Sequence, residues 1–278
     1  MGLTAILFPG QGSQTPEMRD TVAEVRPDLL SLAAEVVGED PFPKVEAGTQ
    51  FAQPAIYCAT LAGWTALGRP SGDFMAGHSL GELAALVAAG GLKEHDGLEL
   101  VALRGRLMQE AGERSGEGGM LALLGAGASD HAAELAASHG LAVANDNCPT
   151  QVVLSGQRTA LPKAAAAAKQ LGLRAMEVPV TGAFHSPMMA SAGPEFAAAL
   201  EHVEVRSPEV PVLSAVTAEP FDDVRGRLVD ALTMPVRWRE TMLALRELGA
   251  ERFIEVGPGR VLTGLLKRTL SDVELVSA

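Results

Sequence analysis

The sequence predicts an α/β fold: a parallel, doubly wound sheet with a small α+β segment inserted into it. Short apolar runs that end in glycine or proline alternate with segments whose apolar residues recur at helical spacing. A flexible junction, Ser115-Gly116-Glu117-Gly118-Gly119, interrupts that alternation, and the main pattern resumes after His185. Apolar residues make up 47% of the 278 residues and charged residues 20%, enough to bury a sizeable core.

Leu3 to Phe8 is an apolar run stopped by Pro9-Gly10 and reads as a buried strand. The polar, glycine-rich loop Gly10–Gln14 follows. Helical pattern spans Thr15 to Val37 with a break near Pro27, and Pro41 and Pro43 mark a loop. Gln53 to Leu67 reads as a helix with Pro54 in its first turn. Phe74–Ala76 is a short strand, and Leu80, Leu83, Ala84 and Val87 repeat as one face of the next helix. A further helix covers Gly97 to Ala111. Past the junction, strands at 120–124, 151–155 and 174–180, with a further one at 141–144, enclose helices near 130–138 and 161–171. This is the predicted insertion, residues 115–181, between core segments 1–114 and 182–278. Strands at 210–215 and 252–256, with a helix at 238–248 between them, complete the core.

Several classes drop out. The longest apolar stretch, Leu83 to Leu92, has ten residues, and a membrane span needs about 18 or more. Met1-Gly2-Leu3-Thr4 carries no basic segment before an apolar one, so no secretory signal is expected. Cys58 and Cys148 form no CxxC pair, which fits a reducing, cytoplasmic compartment. A net charge of −12 argues against nucleic acid as a partner. The acidity is uneven, because residues 225–268 hold nine basic and five acidic side chains. That stretch reads either as a solvated face or as a contact for an anionic partner. There is no GxxxxGK[ST], GxGxxG or HExxH pattern and no Cys/His cluster, so no metal or cofactor is expected. A monomer is expected, since no coiled-coil stripe occurs.

Gly77-His78-Ser79-Leu80-Gly81 matches GxSxG between a short strand and an amphipathic helix. Such a turn presents a serine hydroxyl at a helix N-terminus, where free amides stabilise an anion; the Leu80 N–H would be one donor. Six histidines are available as base. His78 adjoins Ser79, but neighbours in a tight turn point apart. His95, His131, His139 and His202 lie in polar, helix-edge surroundings. His185 sits in the loop Thr181–Pro187 after a strand, where catalytic groups collect in open α/β folds; the other reading is a hydrogen-bonded loop histidine. Arg104 has Leu100, Val101, Leu107 and Met108 at helical neighbour positions, so it points along a buried face. A buried guanidinium needs a partner, either an internal carboxylate or a substrate carboxylate held by two parallel contacts. Arg106 projects to the solvated side.

Taken together, the chain resembles the malonyl-CoA:acyl carrier protein transacylase family. The resemblance rests on Phe8–Gln14, Gln53-Pro54-Ala55, Gly77–Glu82, Arg104–Gln109, Asn145–Gln151, Gly182–Ser186, Pro235–Trp238 and Glu255–Gly259. It implies a hydrolase-like α/β core with a small ferredoxin-like insertion. It also implies Ser79 as nucleophile, His185 as base, and the Gln11 and Leu80 amides as oxyanion hole. Arg104 would bind the malonyl carboxylate. Gln53, Asn147, Phe184 and Arg237 would lie around the acyl site, with Phe184 crowding out a methyl branch and the Arg237 carbonyl orienting His185. The implied partners are malonyl-CoA and an acyl carrier protein with its phosphopantetheine arm, whose usual acidity would suit the basic 225–268 stretch. The chain departs from the family pattern by being short before Phe74 and at Val273–Ala278. Alternatives are a trans-acting polyketide acyltransferase, the malonyl-loading subunit of a malonate decarboxylase, a thioesterase, and a non-catalytic carrier-protein-binding domain.

Overall fold

A computed structural model describes residues 2–180 and 182–277. Thr181, the first residue of the expected His185 loop and the last of the expected insertion, lies outside the described residues, as do Met1 and Ala278. The chain runs β1 (Leu3–Phe8), α1 (Met18–Val25), α2 (Pro27–Val37), α3 (Thr49–Ala66), β2 (Phe74–Gly77), α4 (Gly81–Ala88) and α5 (Glu94–Ser115). It continues with β3 (Gly118–Leu124), α6 (Ala128–His139), β4 (Ala142–Cys148), β5 (Gln151–Gln157), α7 (Leu161–Gln170) and β6 (Arg174–Val178). It ends with α8 (Gly193–Glu201), β7 (Val212–Leu213), α9 (Val224–Asp230), α10 (Trp238–Glu247), β8 (Ala250–Glu255), α11 (Val261–Thr269) and β9 (Glu274–Ser277).

Five parallel strands in the order β7-β2-β1-β8-β9 form the main sheet. Side chains alternate across a strand, and here both faces are apolar. Ile6 and Phe8 of β1 join the core under α3 and α4, while Ala5 and Leu7 meet Trp238 and Met242 of α10 and Leu262 and Leu266 of α11. The second sheet is antiparallel, in the order β4-β5-β3-β6, and its βαββαβ succession is ferredoxin-like. Leu121, Leu123, Val152 and Leu154 cover one face together with alanines of α6 and α7. Its other face, with Met120, Ala122, Val153 and Val178, turns toward the main body. The fold is thus the expected α/β class.

Three local expectations change. Helix α3 starts at Thr49, so Pro54 lies inside it rather than in its first turn. Gln109 of α5 accepts a hydrogen bond from the Thr49 N–H at 3.2 Å and caps the helix earlier than its own sequence suggests. Strand β7 keeps only two residues, because the Ser214 N–H turns to the Glu219 carbonyl at 2.8 Å. Strand β4 extends through polar Asn145, Asp146 and Asn147. Its backbone there pairs with Val236, in bonds of 2.8 and 2.9 Å, where its register against β5 slips. No helix among the described residues is long and apolar enough to cross a membrane.

Candidate active site

Strands β1 and β2 are paired to their last residues, Phe8 opposite Gly77, so the loops that follow leave the sheet side by side. Between β2 and α4 the chain reverses in a tight elbow centred on Ser79, whose φ is +54°. A non-glycine residue is strained there and persists only where the surroundings fix it. The glycines do the fixing. A Cβ on Gly77 would lie 2.0 Å from the Gly81 carbonyl carbon, one on Gly81 2.2 Å from the Phe8 oxygen, and one on Gly10 2.4 Å from the His78 oxygen. Bonds from the Gly81 N–H to the His78 carbonyl (3.0 Å) and from the Glu82 N–H to the Ser79 carbonyl (3.1 Å) close the turn. Leu80 caps α4, and amides at a helix start have no intrahelical acceptor. Both Leu80 and Gln11 line a cavity of about 450 Å³ between the two sheets, as do Ser79, Arg104, Asn147, Phe184 and His185.

His185 also has a left-handed backbone, φ +56°. Its loop is pinned by Ser186, whose hydroxyl donates to the Ala183 carbonyl at 2.6 Å and accepts from the Met188 N–H at 3.3 Å. The imidazole is 5% exposed. Nδ1 lies 2.9 Å from the Ala231 carbonyl oxygen, which can only accept, so Nδ1 carries the proton and Nε2 is the acceptor. Nε2 lies 2.9 Å from Ser79 Oγ. Burial, the Arg104 cation and then His78 push the His185 pKa down to about 3, so the ring is neutral at pH 7. Ala231 caps the C-terminus of α9, where the partial negative charge of the helix terminus favours an imidazolium once a proton arrives.

Arg104 of α5 is buried, 3% exposed. Its Nη1 donates to Gln53 Oε1 at 2.8 Å and its Nη2 to Ser79 Oγ at 3.1 Å. Among the described residues no carboxylate is hydrogen-bonded to it; Glu82 acts on it only through its charge. Of the two alternatives, the internal carboxylate is present only as the nearby charge of Glu82 and not as a hydrogen-bond partner. Burial lowers the Arg104 pKa to about 10, which leaves a cation at neutral pH. Burial also raises Glu82 to about 7, opposed by the bond its carboxylate accepts from the Ala215 N–H at 2.7 Å. The Ser79 hydroxyl has one proton, which goes to His185 Nε2, while its oxygen accepts from Arg104.

Gln53 and Asn147 both reach the cavity. Asn147 Oδ1 lies 2.8 Å from His78 Nε2, and His78 packs edge-on against Trp238 with ring centroids 5.3 Å apart. His78 is thus occupied away from Ser79. Phe184, 6% exposed, forms part of the wall. Arg237 is a correction. The carbonyl that holds His185 belongs to Ala231, and the Arg237 carbonyl instead accepts from the Thr241 N–H and hydroxyl, both at 2.9 Å. The Arg237 side chain pairs with Glu240 and reaches the Thr217 carbonyl at 3.0 Å, outside the cavity lining. Sequence reasoning missed Ala231, because a main-chain acceptor 46 positions away leaves no side-chain signal. It also missed Thr49, whose hydroxyl joins Gln53 to Gln11. Much of the basic 225–268 stretch is internally engaged: Arg227 with Asp222 and Asp230, Arg239 with Asp146, Arg252 with Glu274.

Residues 30–278 match the family model described as an acyl transferase domain. The chain is 42% identical to the polyketide biosynthesis protein ThaF of Burkholderia thailandensis over 97% of its own length, but spans only 24% of that larger protein. It is 39% identical to the malonyl CoA-acyl carrier protein transacylase of Synechocystis, covering 98% of this chain and 95% of that one. Among solved structures it superposes with a TM-score of 0.88 at 35% identity on a malonyl-transacylase in complex with a type II polyketide synthase acyl-carrier protein. That match covers 99% of this chain and 96% of the other. The chain belongs to the acyl transferase domain family.

Proposed function

We propose that this chain moves a malonyl group from malonyl-CoA, through an ester on Ser79, to the phosphopantetheine thiol of an acyl carrier protein. One observation carries the reading: a buried guanidinium with no carboxylate hydrogen-bonded to it stands 3.1 Å from the hydroxyl that a neutral histidine is placed to deprotonate. A malonyl ester places a carboxylate two bonds beyond its ester carbonyl, a short reach that suits a cation beside the serine. Arg104 can grip such a carboxylate through two N–H groups, whereas an acetyl group leaves the buried charge unpaired.

Ser79 Oγ attacks the thioester carbonyl while its proton passes to His185 Nε2. The C–O bond forms, negative charge collects on the former carbonyl oxygen, and the Leu80 and Gln11 amides receive it. The C–S bond then breaks, and the imidazolium returns its proton to the departing CoA thiolate. The carrier thiol repeats the sequence in reverse, with its proton taken by His185 and returned to Ser79. Phe184 narrows the wall beside His185 against a branched acyl group.

The carrier would approach the mouth where Val261 of α11 lines the cavity, with Arg260, Lys267 and Arg268 exposed nearby. Cys58 and Cys148 are free and buried, which supports a reducing, cytoplasmic setting. The deciding experiment is intact-protein mass after brief mixing with malonyl-CoA or acetyl-CoA. The expected result is one malonyl group on the wild type, none on Ser79→Ala, and a much reduced amount on Arg104→Ala. Rapid loss of the adduct without a carrier would make the chain a thioesterase; an acetyl adduct in preference to malonyl would overturn the substrate.

A further inference from the structure

A buried hydrogen-bond chain leads from the reacting serine back to the loop after β1. Arg104 donates to Gln53 Oε1 at 2.8 Å, Gln53 Nε2 donates to Thr49 Oγ1 at 2.9 Å, and Thr49 Oγ1 donates to Gln11 Oε1 at 2.8 Å. Its direction is forced from one end. An arginine has donors only, so Gln53 must turn its oxygen to Arg104 and its amide hydrogens to Thr49. The Thr49 hydroxyl, having accepted, sends its single proton to Gln11. Each link needs a group that both accepts and donates, which an amide and a hydroxyl supply. Thr49 and Gln53 are 2% and 1% exposed, so water does not stand in for either.

Gln11 lies in a loop shaped largely by its own bonds, with one long side-chain tie outward, from Gln14 Nε2 to Glu46 Oε1 at 3.4 Å. The Ser13 hydroxyl donates to the Gly10 carbonyl at 2.7 Å, and the Gly12 N–H donates to Gln14 Oε1 at 2.8 Å. These bonds shape the loop but do not fix it against α3 and α5. Thr49 does, and its own place is set by its N–H on Gln109 Oε1 and by the close crossing at Gly105, where a Cβ would lie 2.8 Å from the Thr49 carbonyl oxygen.

We infer that Thr49 is a positioning residue for acyl transfer: its hydroxyl registers the Gln11 loop, and hence the Gln11 amide, to the Arg104–Ser79 pair. This rests on the reading of Ser79 as nucleophile and the Gln11 amide as oxyanion donor. It goes further by tying acid recognition and oxyanion stabilisation into one rigid assembly, so that an ester carbonyl is met by amides already in place.

The test compares wild type, Thr49→Val, Thr49→Ser, Gln11→Ala and the Thr49→Val/Gln11→Ala double variant. Two rates of Ser79 modification are read: ester formation from malonyl-CoA, and phosphonylation by a fluorophosphonate, in which an O–P bond forms, fluoride leaves and His185 takes the proton. Valine keeps the shape and the N–H cap but neither accepts nor donates through its side chain. Thr49→Val should slow both reactions about tenfold at saturating reagent, with the malonyl-CoA KM within about twofold of wild type. Thr49→Ser should recover most of the rate. The double variant should be no slower than the slower single variant, because both substitutions cut one chain. A wild-type rate in Thr49→Val, a loss that serine does not repair, or losses that multiply in the double variant would overturn the inference. Should Thr49→Val fail to fold, Gln11→Ala alone must still show the tenfold loss at unchanged KM. A wild type that takes the phosphonyl group but no malonyl group would refute the substrate and leave the positioning measurable.

Discussion

Ser79 and His185 share an unusual backbone, φ +54° and +56°, yet they are held there by different means. Ser79 is fixed by its own neighbours: Gly77, Gly81 and Gly10 let main chain pass main chain at distances where no Cβ fits. His185 is held by its own bond to Ala231 across 46 positions and by a loop that Ser186 ties to Ala183 and Met188. Steric confinement by backbone leaves little room to relax. A hydrogen-bonded loop can lose one bond and settle nearby. The nucleophile should therefore fail abruptly on substitution and the base gradually.

Gly77→Ala tests the abrupt side. The new Cβ would meet the Gly81 carbonyl carbon at 2.0 Å, and the chain there is backbone on both sides. The expected loss is on the order of 3 kcal/mol or more of folding stability. Any folded fraction should form the Ser79 ester at least about a hundredfold more slowly. Denaturant unfolding and ester formation measured on one preparation check both. A stable Gly77→Ala enzyme with normal ester formation would mean that the elbow is not what holds Ser79.

The charge on Arg104 separates the pair in a second way, because it acts on the two partners with opposite sense. A cation next to Ser79 Oγ favours the alkoxide, while the same cation disfavours a protonated His185. With its pKa near 3, His185 stays neutral as pH falls from 8 to about 5, so wild-type ester formation should be flat across that range. Removing the cation in Arg104→Ala raises the His185 pKa, and burial still keeps it below the ordinary value. The acid limb of acetyl-CoA turnover should therefore move upward. A limb that stays put or moves down would mean that Arg104 does not act on His185 through its charge.

That contrast also explains what the sequence disclosed. The elbow was legible because its constraint is local: GxSxG, a strand before it and an amphipathic helix after it occupy consecutive positions. Arg104 was legible because helical periodicity placed it among Leu100, Val101, Leu107 and Met108, and it is indeed buried. Arg237 was misplaced and Ala231 unseen because a carbonyl oxygen is common to every residue, so only the fold says which one arrives. Thr49 escaped for a related reason. The sequence reading starts its helix at Gln53 and leaves Thr49 outside it, and the Thr49 hydroxyl gains a role only when α5 and the Gln11 loop are brought to it. Strand β4 extends through Asn145–Asn147 because the 236 loop pairs with it, Val236 lying 91 positions from Asn145.

On the gradual side, Ser186→Ala removes a 2.6 Å bond to the Ala183 carbonyl and the 3.3 Å bond from the Met188 N–H. His185 keeps its Ala231 contact. The expected cost is about 1–2 kcal/mol in stability. The rate of ester formation should fall by no more than about tenfold. A collapse comparable to that of Gly77→Ala would show that the base depends on its loop as strictly as the nucleophile depends on its glycines.

The smallest effect belongs to the rim, which neither kind of constraint governs. Lys267 and Arg268 lie exposed on α11, the helix whose first residue, Val261, lines the cavity mouth. Arg268 makes a surface contact with Gln151 Oε1 at 3.1 Å. Exposed charges of this kind change encounter with a charged partner more than they change chemistry. The double variant Lys267→Glu/Arg268→Glu should raise the KM for an acidic carrier protein about three- to tenfold at low ionic strength. The difference should shrink as salt approaches 0.5 M, where screening is stronger than at the roughly 8 Å Debye length of physiological salt. Ester formation from malonyl-CoA should stay within about twofold of wild type, since the Ser79, His185 and Arg104 contacts are untouched. Carrier kinetics that ignore the reversal at every salt concentration would move the docking face off α11. A parallel loss in ester formation would instead show that the rim is coupled to the site and belongs with the constrained regions.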